Sequence, residues 1–141
     1  MSQENVELHR RAGVAYNAHD LEAFIAYFDP SIEFHSAFAA LRGGVYRGHD
    51  GVREYFRDLE DAWGDEIRGE VEAFFDLGED TLAFYVLYGR GRQSGAEVAM
   101  PLAQVARWRD GLVVYFKVYA HREDALSELG VSEDKLEPIS P

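Results

Sequence analysis

The sequence predicts an α+β fold, because helical periodicity dominates its first half and strand alternation its second half. Apolar residues recur at helical spacing up to Trp63 and alternate with polar residues from Ile67 onward. Strands joined by short turns pair antiparallel, so helices gathered ahead of them predict a helical layer packed on one twisted sheet. A chain of 141 residues suits one domain, which we expect to span residues 1–141.

Three helices are predicted in the first half. The first has a weak apolar stripe that ends near Tyr16, and a turn over residues 17–20 joins it to the second. The second follows Asp20, a good N-cap residue, and ends before Pro30, because the residue before a proline disfavours helical geometry. Its apolar residues have regular helical spacing: Leu21, Phe24, Ile25 and Phe28. The third covers residues 52–63 and ends at Gly64.

Five strands are predicted around and after the third helix. A short one covers residues 32–36, and the next runs from Ile67 toward Gly78 with Ile67, Val71, Ala73 and Phe75 on one face. The remaining three cover residues 81–92, 97–109 and 112–121, and Asp110-Gly111 predicts a tight hairpin between the last two. A short helix over residues 123–129 and a loose acidic tail over residues 132–141 complete the chain.

Composition excludes several classes of function. The chain has 26 Asp and Glu against 14 Lys and Arg, a formal charge of -12, so nucleic acid and anionic membranes are not expected partners. Without cysteine there is no thiolate nucleophile or metal ligand. No signal peptide or membrane span is recognisable, which favours a cytoplasmic location. Twelve Arg against two Lys suggest a bacterial source.

One polar side chain interrupts an apolar strand face. Gln104 shares that face with Val98, Met100, Leu102, Ala106 and Trp108. A buried amide needs a hydrogen-bond partner, so Gln104 either bonds to the protein's own backbone or faces a ligand.

The last strand has two contrasting faces. One face is apolar and consists of Leu112, Val114, Phe116, Val118 and Ala120. The other face carries Tyr115, Lys117, Tyr119 and His121. The second face suits a contact between two subunits as well as it suits solvent, and we expect a homodimer.

Four short motifs carry a resemblance to a known family. They are Leu21-x-x-Phe24-x-x-x-Phe28-Asp-Pro, Ile-Glu-Phe-His from residue 32, Tyr46-Arg-Gly-His-x-Gly-Val-Arg-x-Tyr-Phe56 and Arg107-Trp-Arg-Asp-Gly111. Together they resemble the SnoaL-like branch of the nuclear transport factor 2 superfamily over about residues 5–129. The resemblance implies a conical α+β barrel, in which three N-terminal helices pack into a curved antiparallel sheet around a cavity. It also implies that dimers are common.

The same resemblance weakens the case for catalysis. The Asp base of the related ketosteroid isomerases falls on Ser36, their oxyanion-binding tyrosine on Ala12, and their protonated Asp on Gln104. Only Gln104 keeps a hydrogen-bond donor, which can bind a carbonyl or enolate oxygen. The resemblance places four aromatic residues on the cavity wall, which suits a small apolar or ring-containing ligand: Tyr16, Phe34, Tyr55 and Phe116.

Two histidines are candidate bases. His35 shares a strand face with Glu33, an arrangement that suits either an acid/base pair or a surface ion pair. His121 ends the last strand, near the expected mouth of the cavity. Two residues are too few for a metal site, and no phosphate-binding or dinucleotide motif is present, so we expect no metal and no cofactor.

Two functions remain open. The first is a cofactor-free isomerase, cyclase or dehydratase that acts on an apolar carbonyl compound, with Gln104 binding oxygen and His35 or His121 as base. The second is a non-catalytic module that binds a hydrophobic ligand or mediates dimerisation.

Overall fold

Residues 2–37, 44–64, 66–91 and 94–141 are described by a computed structural model of the chain. The helices are α1 Ser2–Asn17, α2 Leu21–Ile25, α3 Gly48–Trp63 and α4 Arg122–Leu129, followed by a 3-10 turn at Glu133–Lys135. The strands are β1 Phe28–His35, β2 Val45–Arg47, β3 Arg68–Asp76, β4 Asp80–Arg90, β5 Glu97–Arg109 and β6 Leu112–Tyr119. Arg92, which we expected to end the fourth strand, lies outside the described residues.

The described strands form one six-stranded sheet in the order β2-β1-β6-β5-β4-β3. The α+β class is confirmed, with α1, α2 and α3 packed on the inner face of the sheet. An entirely antiparallel sheet was the wrong expectation, since β1 runs parallel to its neighbour β6. The first long strand therefore lies beside the last, and the backbone N–H of Val113 donates to the carbonyl of Tyr27 at 2.9 Å.

The second helix is shorter than its periodicity predicted. Asp20 caps it as expected and accepts a hydrogen bond from the Ala23 N–H at 3.2 Å, but the helix ends at Ile25. Phe28 belongs instead to β1, where it pairs with Val113. The Phe28 ring contacts the Phe24 ring edge to face, with centroids 4.8 Å apart. Phe28 therefore pairs within the sheet and packs against α2.

The third helix ends at Gly64 as predicted, but the short strand before it was not predicted. Strand β2 pairs with β1, and α3 begins directly afterwards. A side-chain carbon at Gly51 would lie 2.9 Å from the backbone carbon of Tyr46, closer than any substitution tolerates. Gly51 thus allows the first turn of α3 to pack against β2.

A shift of register in β3 changes which side chains face inward. Pairing with β4 slips between Val71 and Ala73, so the expected single inward face is interrupted. Val71 lies at the inner cavity, whereas Phe75 packs on the other side of the sheet, 5.1 Å from the Phe84 ring.

A second slip lies at the start of β6. Arg107 pairs with Tyr115 but the next residue, Trp108, pairs with Val113, which leaves Val114 as the extra residue. Val113 therefore faces inward together with Phe116, whereas simple alternation from Phe116 would place it on the outer face.

Helix α4 covers part of the outer face of the sheet. Tyr119 is buried there in a cluster with Phe84 and Ala125, and Lys117 forms an ion pair with Glu128 at 3.0 Å. The face expected to form a dimer contact is thus partly covered by the chain itself. The homodimer stays a prediction.

The C-terminal segment is docked rather than loose. Phe74 and Ile139 exchange two backbone hydrogen bonds, at 2.9 and 2.7 Å. The Arg10 guanidinium adds a bond to the carbonyl of Ser140 at 2.9 Å. A count of acidic residues did not detect this contact, because backbone pairing and one apolar side chain hold the segment.

None of the helices in the described ranges combines the length and apolar character needed to cross a bilayer.

Candidate ligand cavity

A cavity of about 60 Å³ lies between the three N-terminal helices and the inner face of the sheet. Most of its wall is apolar. Four aromatic rings, those of Phe24, Phe28, Phe34 and Phe116, form one side, and six aliphatic side chains contribute elsewhere: Ala12, Val71, Leu87, Ala106, Val113 and Val118.

The aromatic side of the cavity is held by ring contacts. Phe34 stacks on Phe116 with centroids 4.9 Å apart, and Tyr55 lies 4.4 Å from Phe34. Phe28 contacts Phe34 at 6.0 Å and Phe116 at 5.9 Å. Because each ring is fixed by at least two others, the shape of this wall is set by packing.

Three tyrosine hydroxyl groups belong to the cavity wall. The hydroxyl groups of Tyr55 and Tyr16 influence each other's pKa, and the side-chain amide of Gln104 influences that of Tyr85. Burial raises the pKa of each of the three phenols well above its ordinary value. All three are therefore protonated and uncharged at neutral pH.

A histidine in α1 completes the polar part of the wall. His9 is only 4% exposed, and its Nδ1 lies 2.8 Å from Oγ1 of Thr81. Its Nε2 lies 2.6 Å from Oε1 of Gln104, and the indole N–H of Trp108 donates to the same Thr81 oxygen at 2.8 Å. These contacts link α1, β4 and β5 through buried hydrogen bonds.

Burial determines the charge of this histidine. It lowers the pKa of His9 from 6.5 to about 4, and the hydrogen bond to Gln104 offsets only part of that effect. His9 is therefore neutral at pH 7. No carboxylate, lysine or arginine lines the cavity among the described residues.

The rim of the cavity includes two glycines. The side-chain amide of Asn17, at the end of α1, donates to the carbonyl of Gly69 and accepts from its N–H, both at 2.8 Å. A side-chain carbon added at Gly13 would meet no atom within 4 Å, so open space adjoins the helix there.

Five of the residues expected at the site do line this cavity: Gln104, Tyr16, Phe34, Tyr55 and Phe116. The cavity position of Gln104 follows from the strand alternation noted in the sequence. Its oxygen is hydrogen-bonded to His9 within the protein, and Tyr85 lines the cavity beside it. Whether any of the five binds a ligand stays a prediction.

Three other expected site residues lie elsewhere. The His35 side chain points to the opposite face of β1, where its Nε2 lies 2.7 Å from Glu33 and its ring 4.9 Å from Tyr115. His121 is exposed at the start of α4, and Ser36 follows β1 outside the cavity wall. The alternation of β1 explains the first case, since Phe34 occupies the inward position and its neighbour must point outward.

The residue missed by the sequence reasoning is His9. It lies three positions before Ala12 and seven before Tyr16, so the three share one face of α1, and all of them line the cavity. A polar side chain on that apolar stripe was a usable signal, of the same kind as Gln104 on its strand.

The described residues contain no group of three or more His, Asp or Glu side chains placed to hold a metal ion. The pair formed by His35 and Glu33 has Arg47 as its third member, with a guanidinium nitrogen 3.3 Å from Glu33. The Arg47 contact makes this cluster a surface ion pair rather than a cation site.

Comparison with solved structures identifies the fold. A nuclear transport factor 2-like protein of unknown function from Burkholderia pseudomallei superposes with a TM-score of 0.78 at 21% identity, covering 90% of this chain and 97% of that one. A SnoaL-like polyketide cyclase assigned by similarity in a Jannaschia species gives 0.73 at 16% identity, with 84% and 86% covered. A ketosteroid isomerase-like protein from Catenulispora acidiphila, in complex with trimethylamine, gives 0.72 at 14% identity, with 91% and 95% covered.

Sequence comparison agrees with the structural one. No curated protein matches the chain. The family model described as a SnoaL-like domain matches residues 9–116, which include every described residue of the cavity wall except Val118. The chain therefore belongs to the SnoaL-like domain family, as its motifs indicated.

Proposed function

We propose that this protein binds a small, uncharged and largely apolar molecule that carries an oxygen atom, inside the cavity of the sheet. The observation that supports this proposal most strongly is that the polar groups of the cavity wall are uncharged. Its polar groups are three protonated tyrosines, a neutral histidine and two amides, set among aromatic and aliphatic side chains. Such a site offers hydrogen bonds but no opposite charge.

The absence of charge on the described wall selects against ions. Moving an ionised group from water into an apolar site costs many kcal/mol unless a partner of opposite charge is present. A neutral ketone or alcohol loses only its hydrogen bonds to water, which the tyrosines and amides can replace.

The volume of the cavity limits the size of the ligand. An engineered apolar cavity of about 150 Å³ holds benzene, which has six heavy atoms, so in proportion about 60 Å³ encloses only about two or three heavy atoms. The rest of a ketone such as acetone or butanone would lie in the open space beside Gly13 or displace a side chain of the wall. A larger ring-containing ligand requires one of the aromatic side chains to move. The Catenulispora neighbour in complex with trimethylamine supports small-molecule binding by this fold.

Binding can be tested with probes of equal size and different charge. We would titrate acetone, acetate and tetramethylammonium against protein with labelled valine methyl groups, and follow Val71, Val113 and Val118 by NMR. We expect acetone to shift these signals at millimolar concentration and the two ions to leave them unchanged. The variant Gly13→Leu, which places a side chain beside the cavity, should abolish the shifts. Equal binding of acetate or tetramethylammonium would overturn the proposal.

The catalytic alternative is proton transfer next to a carbonyl group. Its supporting observation is that an imidazole and three hydroxyl donors belong to the same wall. His9 replaces His35 and His121 as the candidate base, because both of those point away from the cavity. A pKa of about 4 makes it a weak base, and both ring nitrogens are engaged, so the geometry favours binding over catalysis.

Deuterium exchange separates the two functions. In D₂O, an enzyme of this kind would replace the hydrogens next to the carbonyl of butanone or cyclopentenone faster than buffer does, and His9→Asn would remove the effect. Exchange at the buffer rate, from ketones that bind, would exclude proton transfer on these compounds and leave binding as the function.

A further inference from the structure

We propose that Tyr85 donates the hydrogen bond to the ligand's oxygen, and that His9 is the positioning residue that fixes this direction through Gln104. This inference rests on the proposed binding of an uncharged ligand. A hydroxyl donor in this position makes the site selective for hydrogen-bond acceptors such as ketones, rather than for apolar molecules in general.

The direction of the hydrogen bonds follows from Gln104. Its carbonyl oxygen, not its amide nitrogen, lies 2.6 Å from Nε2 of His9. A carbonyl oxygen can only accept, so Nε2 carries the hydrogen. Because His9 is neutral, its Nδ1 then has a lone pair and must accept.

Thr81 supplies the matching donor. Its hydroxyl oxygen lies 2.8 Å from Nδ1 of His9 and accepts the indole N–H of Trp108, also at 2.8 Å. Since Trp108 can only donate, the threonine accepts from it and gives its own hydrogen to His9. The three hydrogen bonds from Trp108 through Thr81 and His9 to Gln104 are then all donated in the same direction.

The amide nitrogen of Gln104 is left as a donor. Tyr85 pairs with Leu102, two residues from Gln104, and both Tyr85 and Gln104 line the cavity, so the Tyr85 hydroxyl is a neighbouring acceptor for this amide. The interaction with Gln104 lowers the pKa of Tyr85, as donation from an amide to the phenol oxygen does. A hydroxyl that accepts from Gln104 keeps its own hydrogen available to a ligand. The Tyr85 ring is buried and lies over Gly69, where an added side-chain carbon would be 3.4 Å from its Cδ2. Its hydroxyl therefore belongs to the cavity wall as an oriented donor.

The first test is the tautomer of His9 in the ligand-free protein. We would record long-range ¹H–¹⁵N spectra of the imidazole rings at pH 7. We expect the shifts of a neutral ring with its hydrogen on Nε2. A hydrogen on Nδ1, or a doubly protonated ring, would contradict this direction of the hydrogen bonds and overturn the inference.

The second test compares butanone with 2-methyl-1-butene, in which a methylene group replaces the oxygen. In Tyr85→Phe we expect the affinity for butanone to fall about tenfold, the value of one buried hydrogen bond, with no loss for the alkene. The matched control is Tyr46→Phe, a buried tyrosine whose hydroxyl donates to Asp58 at 2.7 Å outside the cavity, and which should change neither affinity.

The third test removes the last step. In Gln104→Leu no amide can donate to Tyr85, so its hydroxyl loses its fixed direction and the preference for butanone over the alkene should decrease. Binding of the alkene should survive this substitution. If neither probe binds the unmodified protein, the proposed function fails. If both bind and Tyr85→Phe leaves butanone unaffected, only the assignment of Tyr85 fails.

Discussion

Nε2 of His9 lies 2.6 Å from Oε1 of Gln104, and this contact joins two side chains that are 95 residues apart in the chain. It fastens α1 to the middle of β5 across the interior. Because His9 is buried and Gln104 lines the cavity, the contact contributes to stability and to the shape of the site at once.

Stability should depend on pH through His9. Its pKa is about 4 in the folded protein and about 6.5 unfolded, so between these values the unfolded chain binds a proton that the folded chain does not. Stability should therefore be complete above pH 6.5 and fall with decreasing pH down to about pH 4, by roughly 3 kcal/mol in total. Urea unfolding at pH 7 and pH 5 measures the first part of this loss.

A matched pair of variants assigns that loss. His9→Asn should flatten the dependence between pH 7 and pH 5, and His121→Asn, at an exposed histidine, should leave it unchanged. The acidic groups with lowered pKa, such as Glu33 and Glu128, lose their contribution only as the pH falls below about 4.5. An unchanged slope in His9→Asn would contradict the predicted effect.

Thr81 should be sensitive to loss of its hydroxyl group alone. Thr81→Val keeps the shape of the side chain but leaves the N–H of Trp108 and Nδ1 of His9 buried without a partner. We expect a loss of about 3 kcal/mol in the free energy of unfolding, measured in urea. Thr81→Ser keeps the hydroxyl and should lose only about 1 kcal/mol for the missing methyl group. A larger loss in the serine variant would show that packing dominates.

Gly13 offers a stabilising substitution. It lies inside α1, where glycine is less favourable than alanine, and an added side-chain carbon meets no atom within 4 Å. Gly13→Ala should raise the free energy of unfolding by roughly 0.5–1 kcal/mol. Thermal unfolding measures the gain, and a lower melting temperature would indicate that the space beside Gly13 is filled in solution.

Asn17 should protect one backbone amide at the rim. The N–H of Gly69 donates to the Asn17 side chain, so Asn17→Ala should speed its hydrogen exchange and cost about 1 kcal/mol. Asn17→Asp keeps the acceptor for that N–H and should preserve most of the protection. Equal exchange in both variants would mean that α1 and β3 hold together without this contact.

Removal of the last four residues should destabilise the sheet edge. Without Ile139, two backbone groups of the buried Phe74 lose their partners, and we expect a loss of about 2 kcal/mol in urea unfolding. Deletion of Pro141 alone should have no measurable effect. A stable protein lacking residues 138–141 would show that the docked segment contributes little.

The sequence predicted the fold well where local periodicity and the backbone preferences of single residues determine the secondary structure. Helix α3 repeats its apolar residues over several turns, and Asp110 and Gly111 both adopt the positive φ that a tight hairpin requires. Strand alternation also placed Gln104 on the inner face. These features depend on residues close together in the chain.

The features that failed depend on distant partners. The extra residues in β3 and β6 appear only when each strand is paired with its neighbour, so alternation could not place Phe75 or Val113. The end of α2 likewise depends on Phe28 pairing with Val113. The position of His9 on the apolar stripe of α1 was a local signal, but its partners, Thr81 and Gln104, are separated from it by most of the chain and could not be predicted.

The parallel pairing of β1 with β6 also has a consequence for biosynthesis. As the chain leaves the ribosome, β1 emerges with Phe28 and Phe34, and four further strands follow before β6, the strand that covers its edge. Until then the future cavity wall is an open hydrophobic edge, the kind of surface that chaperones recognise and that aggregates at high concentration. Late closure of the sheet makes the yield of soluble protein depend on how quickly β6 reaches β1, even where the finished protein is stable.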